Sequence, residues 1–272
     1  RRGERLKPMN SYIGFWFAWG TMFPGIELHS GPSFSGSFVQ DNIPPGWTVP
    51  RNKVLTVLGQ DGIPAVDEPE FEEFNLRATI ANDAFFIKDD ELVVGVTVNG
   101  TTRIYPHSIL NWHEIVNDQI GDFYFSLSIC PLTGTAIMWD RTINGVVTTF
   151  GVSGLLYNGN VIPYDRKTGS IWSQMKQSCI NGDLVGQEMR TTQVLETTCA
   201  TWKLLKDNPE VMTTNTGFGK DYEVNPYQNY ITDHSHLSYP VEYDDDRLPR
   251  KERVLGLIVN GKAKAYQFQD FQ

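Results

Sequence analysis

Cysteine is scarce in this 272-residue sequence: three residues, Cys130, Cys179 and Cys199. That excludes a small disulfide-stapled scaffold, and an odd count leaves at least one thiol outside any intrachain pair. No CxxC, HExxH or His-rich tract occurs, which excludes the regularly spaced zinc motifs. There is no apolar run of the roughly 18 to 20 residues that a membrane-spanning helix requires. The nearest, Tyr12 to Phe23, follows Arg1, Arg2, Arg5 and Lys7 and superficially resembles a secretory signal. A better match for that segment, given below, replaces this reading. Positive charge is also short, with 23 Lys and Arg against 32 Asp and Glu and a net charge of -9. A nucleic-acid backbone needs a basic patch, so nucleic acid is excluded as the expected partner.

Turn chemistry and β-forming runs are plentiful. Asn-Gly recurs at Asn99, Asn144, Asn158, Asn181 and Asn260. Both residues tolerate the positive φ of a tight hairpin, so each pair between β-rich runs predicts a hairpin. Helical pieces are few, predicted over Ser108 to Asn117 and Thr198 to Lys206. Two stretches repeat without a gap. Val93 to Leu110 matches Val254 to Phe271, and Gly3 to Trp19 matches Gly186 to Trp202. The expected fold is therefore mainly β with a few short helices, in two pseudo-repeated β lobes, the second incomplete in this chain. Residues 1–30 read as a tail-like segment of the second lobe and 31–57 as a Gly/Ser/Pro-rich connector. Residues 58–216 read as the first complete lobe, 217–252 as a further connector, and 253–272 as the head of the second lobe.

The blocks Asp61 to Phe71 (DGIPAVDEPEF), Asn111 to Asp118 (NWHEIVND), Cys130 to Ala136 (CPLTGTA), Phe150 to Asn160 (FGVSGLLYNGN) and Tyr164 to Gln174 (YDRKTGSIWSQ) carry a resemblance. Together they resemble the domain of unknown function 3179 family of microbial proteins. Phe15 to Leu28 (FWFAWGTMFPGIEL) also resembles it, but as that family's last segment, whereas here it comes first. A circular permutation or a fragment of a tandem array would give that order. The resemblance implies a secreted, periplasmic or cell-surface protein with two related lobes, and no established reaction.

The candidate chemistry centres on Asn111 to Asp140. A cysteine ending a strand on a Gly/Thr turn can face a pocket, and Cys130 with His113 is the leading catalytic pair. The same two residues with Met138 form a candidate metal set, whose soft donors favour copper among the transition metals. Ser153, Tyr157 and Asn160 are candidate ligand-binding residues. Glu114 and Asp118, four apart on the predicted helix, could form an acid/base pair. His234-x-His236 is a metal half-site by spacing alone. Trp16, Trp19, Trp139, Trp172 and Trp202 fit either a carbohydrate-stacking set or a core. Cys179 and Cys199 are expected to pair in a disulfide while Cys130 stays reduced, the alternative being two buried thiols. Two functions of different class follow. One is a small-molecule or metal site with oxidoreductase chemistry. The other is a structural subunit of an extracellular homo-oligomer or polymer, completed by a neighbouring chain.

Overall fold

In the computed structural model the described residues are 9–36, 42–73, 87–205 and 208–271. Strands dominate, and among the described residues no helix is long and apolar enough to cross a membrane. Four of the Asn-Gly pairs close hairpins. Asn99 (φ 49°) and Gly100 (φ 88°) join Leu92–Val98 to Thr101–Pro106, with Val98 opposite Thr101. Asn260 (φ 51°) and Gly261 (φ 73°) join Arg253–Val259 to Lys262–Gln267, with Val259 opposite Lys262. Asn144-Gly145 and Asn158-Gly159 do the same for shorter strands. Asn181-Gly182 instead ends the strand Ser178–Asn181 and opens a longer turn, after which the chain returns to an isolated antiparallel bridge between Ser178 and Glu188.

The two long hairpins sit in sheets of matching register. In the five-stranded sheet, Leu195–Thr198 pairs with Leu92–Val98, placing Leu195 opposite Gly95 and Thr198 opposite Leu92. In the four-stranded sheet, Ser11–Phe15 pairs with Arg253–Val259, placing Tyr12 opposite Gly256 and Phe15 opposite Arg253. Each outer strand runs straight into a short helix, Cys199–Leu205 and Trp16–Met22. Each helix drops a tryptophan onto the glycine of the neighbouring strand. A Cβ on Gly95 would lie 2.0 Å from Trp202, and one on Gly256 would lie 2.1 Å from Trp19, so neither position has room for a side chain. A parallel strand follows in each sheet, tied by an ion pair: Glu210 to Arg103 at 2.7 Å and Glu27 to Lys264 at 2.5 Å.

Between these sheets lies a third, ordered Thr191–Thr192, Thr135–Asp140, Phe123–Cys130, Ile115–Ile120 and Val66–Asp67. Strand alternation gives it two different faces. Phe125, Leu127, Ile129, Ala136 and Met138 join Val94, Val96, Tyr105, Ile109 and Leu110 in one apolar core. On the other face, Ile137 and Trp139 join the core that holds Trp16, Trp19, Phe150 and Trp172. Beside them runs a buried polar seam. The Gln174 Oε1 accepts from Thr135 Oγ1 at 2.6 Å and from Asn160 Nδ2 at 2.7 Å, while Gln174 Nε2 donates to the Ser128 carbonyl at 3.0 Å. Such a network is tolerable in a core because its members satisfy one another.

Several expectations are corrected here. All three cysteines are free and buried, and Cys179 and Cys199 sit in separate apolar clusters, so no disulfide joins them. Of the two readings of Trp16, Trp19, Trp139, Trp172 and Trp202, the core one holds, each being at most 4% exposed. The helix expected through Asn117 stops at His113, and Ile115–Ile120 is a strand.

Candidate functional site

The stop at His113 sets the direction of the residue that follows. Glu114 takes up a left-handed conformation (φ 59°, ψ −27°) at the helix C-cap, with its N–H donating to the Leu110 carbonyl at 2.8 Å. Its own carbonyl accepts from the Ile129 N–H at 2.8 Å, which ties the turn to the strand Phe123–Cys130. A residue with a Cβ costs about 1 to 2 kcal/mol in this region, where glycine or asparagine is usual. The reversal sends two adjacent side chains to different places.

His113 enters a polar corner. Its Nδ1–H donates to the Pro64 carbonyl at 2.7 Å, because a carbonyl can only accept. Its Nε2 therefore accepts from the Tyr222 hydroxyl, also at 2.7 Å. Burial holds its pKa below the ordinary histidine range, so the ring stays neutral.

Glu114 faces a cavity of about 290 Å³, walled by Leu132, Leu155, Val161 and the three tyrosines Tyr227, Tyr230 and Tyr239. Its carboxylate accepts one long hydrogen bond, 3.4 Å from the Tyr227 hydroxyl, and forms no ion pair among the described residues. Burial pushes its pKa up to about 7. The Tyr227 hydroxyl is itself held far above the usual phenol range by burial and then by the Glu114 charge. The tyrosines come from the segment around the short helix Gln228–Thr232. Tyr230 is fixed at both ends. Its hydroxyl donates to the Leu132 carbonyl at 2.9 Å, and its own carbonyl accepts from Lys251 Nζ at 2.5 Å. That ammonium also donates to the Asp233 carbonyl at 2.6 Å and lies 3.4 Å from the Tyr230 ring centroid.

Cys130 lies behind the cavity wall, fully buried against Leu132, Leu156 and Val161. Its Sγ–H donates weakly to the Gly159 carbonyl at 3.6 Å. Burial, and then the Glu114 charge, push the thiol up to about 11, so it stays protonated at neutral pH.

The structure therefore does not bring the expected residues together as expected. His113 has both ring nitrogens engaged, and neither contacts Cys130. Met138 projects from the opposite face of the central sheet, opposite Leu127. Among the described residues no group of three His, Cys, Asp or Glu side chains converges, so the Cys130–His113–Met138 set for copper or another transition metal is not assembled. Ser153 donates to the Ile162 carbonyl at 2.5 Å and accepts from the Leu155 N–H at 3.1 Å, which closes a turn. Tyr157 donates to Glu242 at 2.7 Å, and Asn160 belongs to the buried seam. Their loop does reach the cavity, through Gly154, Leu155 and Leu156. Asp118 is a partner of Arg103 and Tyr105 at 2.7 and 2.5 Å, not of Glu114. His234 and His236 are exposed and lie outside any strand. The tyrosines were missed because they lie in a stretch read as a connector. Their signal was Tyr227 and Tyr230, three apart beside Pro226, which places two rings on one side of a helical turn.

The fold and site thus define a mainly β protein with a partly open carboxyl–tyrosine cavity. The chain belongs to the domain of unknown function 3179 family, whose model, described as a protein of unknown function, matches residues 60–272. No curated protein and no solved structure matches it.

Proposed function

We propose that this protein binds a small organic molecule in the Glu114 cavity. One observation carries this reading. Glu114 is a buried carboxyl with a single long hydrogen bond among the described residues, held at the cavity wall by a left-handed backbone. A buried carboxyl left under-satisfied costs stability, and such costs concentrate where a ligand completes the site. With its pKa at about 7, the group can take or give a proton at neutral pH. Cys130 forms the floor behind the wall. The test is a fragment screen by thermal shift, repeated with Glu114→Gln and with Leu155→Trp, which fills the cavity. Hits that both substitutions abolish support the reading. Hits insensitive to both, or no hits at all, overturn it.

A second reading concerns assembly, and one observation favours it. Val94, Val96, Tyr105 and Leu110 are each at most 1% exposed beneath the central sheet. Their register counterparts, Leu255, Leu257, Tyr266 and Phe271, are only partly covered, and Phe271 is 59% exposed. We read the two hairpin sheets as copies of one unit and propose that β structure from a neighbouring chain covers this second face. Placement outside the cytoplasm belongs to the same proposal, on the strength of the family resemblance. Light scattering across a concentration series tests it. Association that Leu257→Lys abolishes supports the reading, and a monomer at every concentration overturns it.

A further inference from the structure

The chemical class of the ligand can be taken further, and this step rests on the reading of the Glu114 cavity as a binding site. Among the described residues the cavity is lined by one carboxyl and by no basic side chain. Groups facing Glu114 are the hydroxyl of Tyr227 and, behind the wall, the thiol of Cys130, neither of which carries positive charge. The ammonium of Lys251 is committed to the carbonyls of Tyr230 and Asp233 and makes no ion pair with Glu114. A buried carboxylate is stabilised by a cation or by hydrogen-bond donors, and here, among the described residues, the one donor that reaches it is the Tyr227 hydroxyl at 3.4 Å. The remaining walls also suit a cation. Tyr227, Tyr230 and Tyr239 present phenol rings, whose electron-rich faces attract ammonium groups once water is excluded. One face of Tyr230 is already taken by the Lys251 ammonium, 3.4 Å from the ring centroid, so Tyr227 and Tyr239 are the rings left to a ligand. Leu132, Leu155 and Val161 supply apolar surface for a hydrocarbon body and no donors for hydroxyls. A volume of about 290 Å³ equals about ten waters at roughly 30 Å³ each, the scale of a small amine and not of a peptide.

We propose that the cavity takes a small organic ammonium ion, with its charge against the Glu114 carboxylate and the Tyr227 and Tyr239 rings and its carbon body against Leu132, Leu155 and Val161. Binding requires ionised Glu114. Below pH 7 it competes with the proton, and the affinity falls about tenfold per pH unit. Above pH 7 it is level. A neutral ligand shows no such slope.

The experiment compares choline with 3,3-dimethylbutan-1-ol, its uncharged carbon analogue of the same shape, by titration calorimetry at pH 5.5, 6.5 and 8. Choline is expected to bind at least about tenfold more tightly at pH 8, corresponding to one desolvated cation–π and charge contact. Glu114→Gln should remove both that advantage and the pH slope, and Tyr227→Leu should reduce the advantage while leaving the slope. If the alcohol binds as well as choline, the cation proposal is overturned while the binding-site reading stands. If neither binds, both fall.

Discussion

Replacing Glu114 by Gln tests the central energetic claim without any ligand. The two side chains have nearly the same shape, and the amide can still accept from the Tyr227 hydroxyl. What changes is the titration. The carboxyl pKa rises from an ordinary 4.5 to about 7 on folding, because burial penalises the ionised form. The sign follows directly. Between those two values the folded state holds a proton that the unfolded chain has released, so the stability of the parent protein falls as pH rises through this window. Below pH 4.5 both states are protonated and the effect vanishes. Above pH 7 both are ionised and the loss is complete, about 3 kcal/mol at 1.36 kcal/mol per pH unit. Gln does not titrate. The advantage of Glu114→Gln over the parent should therefore grow by about 2.5 kcal/mol between pH 5 and pH 8, whatever fixed offset the amide itself adds. Urea denaturation of both proteins at half-unit pH intervals measures it. Every other group titrates in both proteins and cancels in the difference. A difference curve flat with pH would show that Glu114 is solvated or already paired, and would refute the case for the cavity as a charge-binding site.

Two further outcomes can be checked. Gly95→Ala and Gly256→Ala each drive a methyl into a tryptophan ring that has no space to yield, at 2.0 and 2.1 Å. Each should cost about 1 to 3 kcal/mol in chemical denaturation, and near-native stability in either would mean that Trp202 or Trp19 packs elsewhere. Thiol titration with a chromogenic disulfide should count three free thiols in the denatured, unreduced protein and slow reaction at all three in the native one, since Cys130, Cys179 and Cys199 are buried with raised pKa values. A count of one would restore the Cys179–Cys199 bridge.

Much of the architecture was legible because its signals are local. Asn99-Gly100 and Asn260-Gly261 announce hairpins through backbone conformations that few other pairs adopt. Cys130 could be placed at a strand end from the alternation of Phe123 to Ile129 and the Pro131 that follows. The site was not legible for the opposite reason. Nothing in NWHEIVND says that a glutamate will adopt a positive φ, a choice imposed by packing of the helix on the strand Phe123–Cys130. Reading the helix through to Asn117 placed Glu114 beside Asp118, and left His113 as the apparent partner of Cys130. The tyrosines lie about a hundred residues further on, and only tertiary packing brings them to Glu114. The disulfide reading failed because spacing carries no information about which core a cysteine joins.

The pairing of Ser11–Phe15 with Arg253–Val259 has a consequence for the order of folding. The hairpin around Asn260-Gly261 closes over two residues and can zip on the microsecond scale. Its outer strand comes from the far side of the chain, Ser11 meeting Leu257, and the entropy lost on joining such distant segments grows with the logarithm of the intervening length. That loss is smallest once the intervening sheets have already condensed and brought the two segments near. On this entropic argument the four-stranded sheet is expected to form late, and Trp19 can pack on Gly256 only once Ser11–Phe15 has joined it. A nascent or partly unfolded molecule would carry an unzipped edge at Arg253–Val259 together with the bare aromatic helix Trp16–Met22. This is the form most exposed to mispairing with another copy.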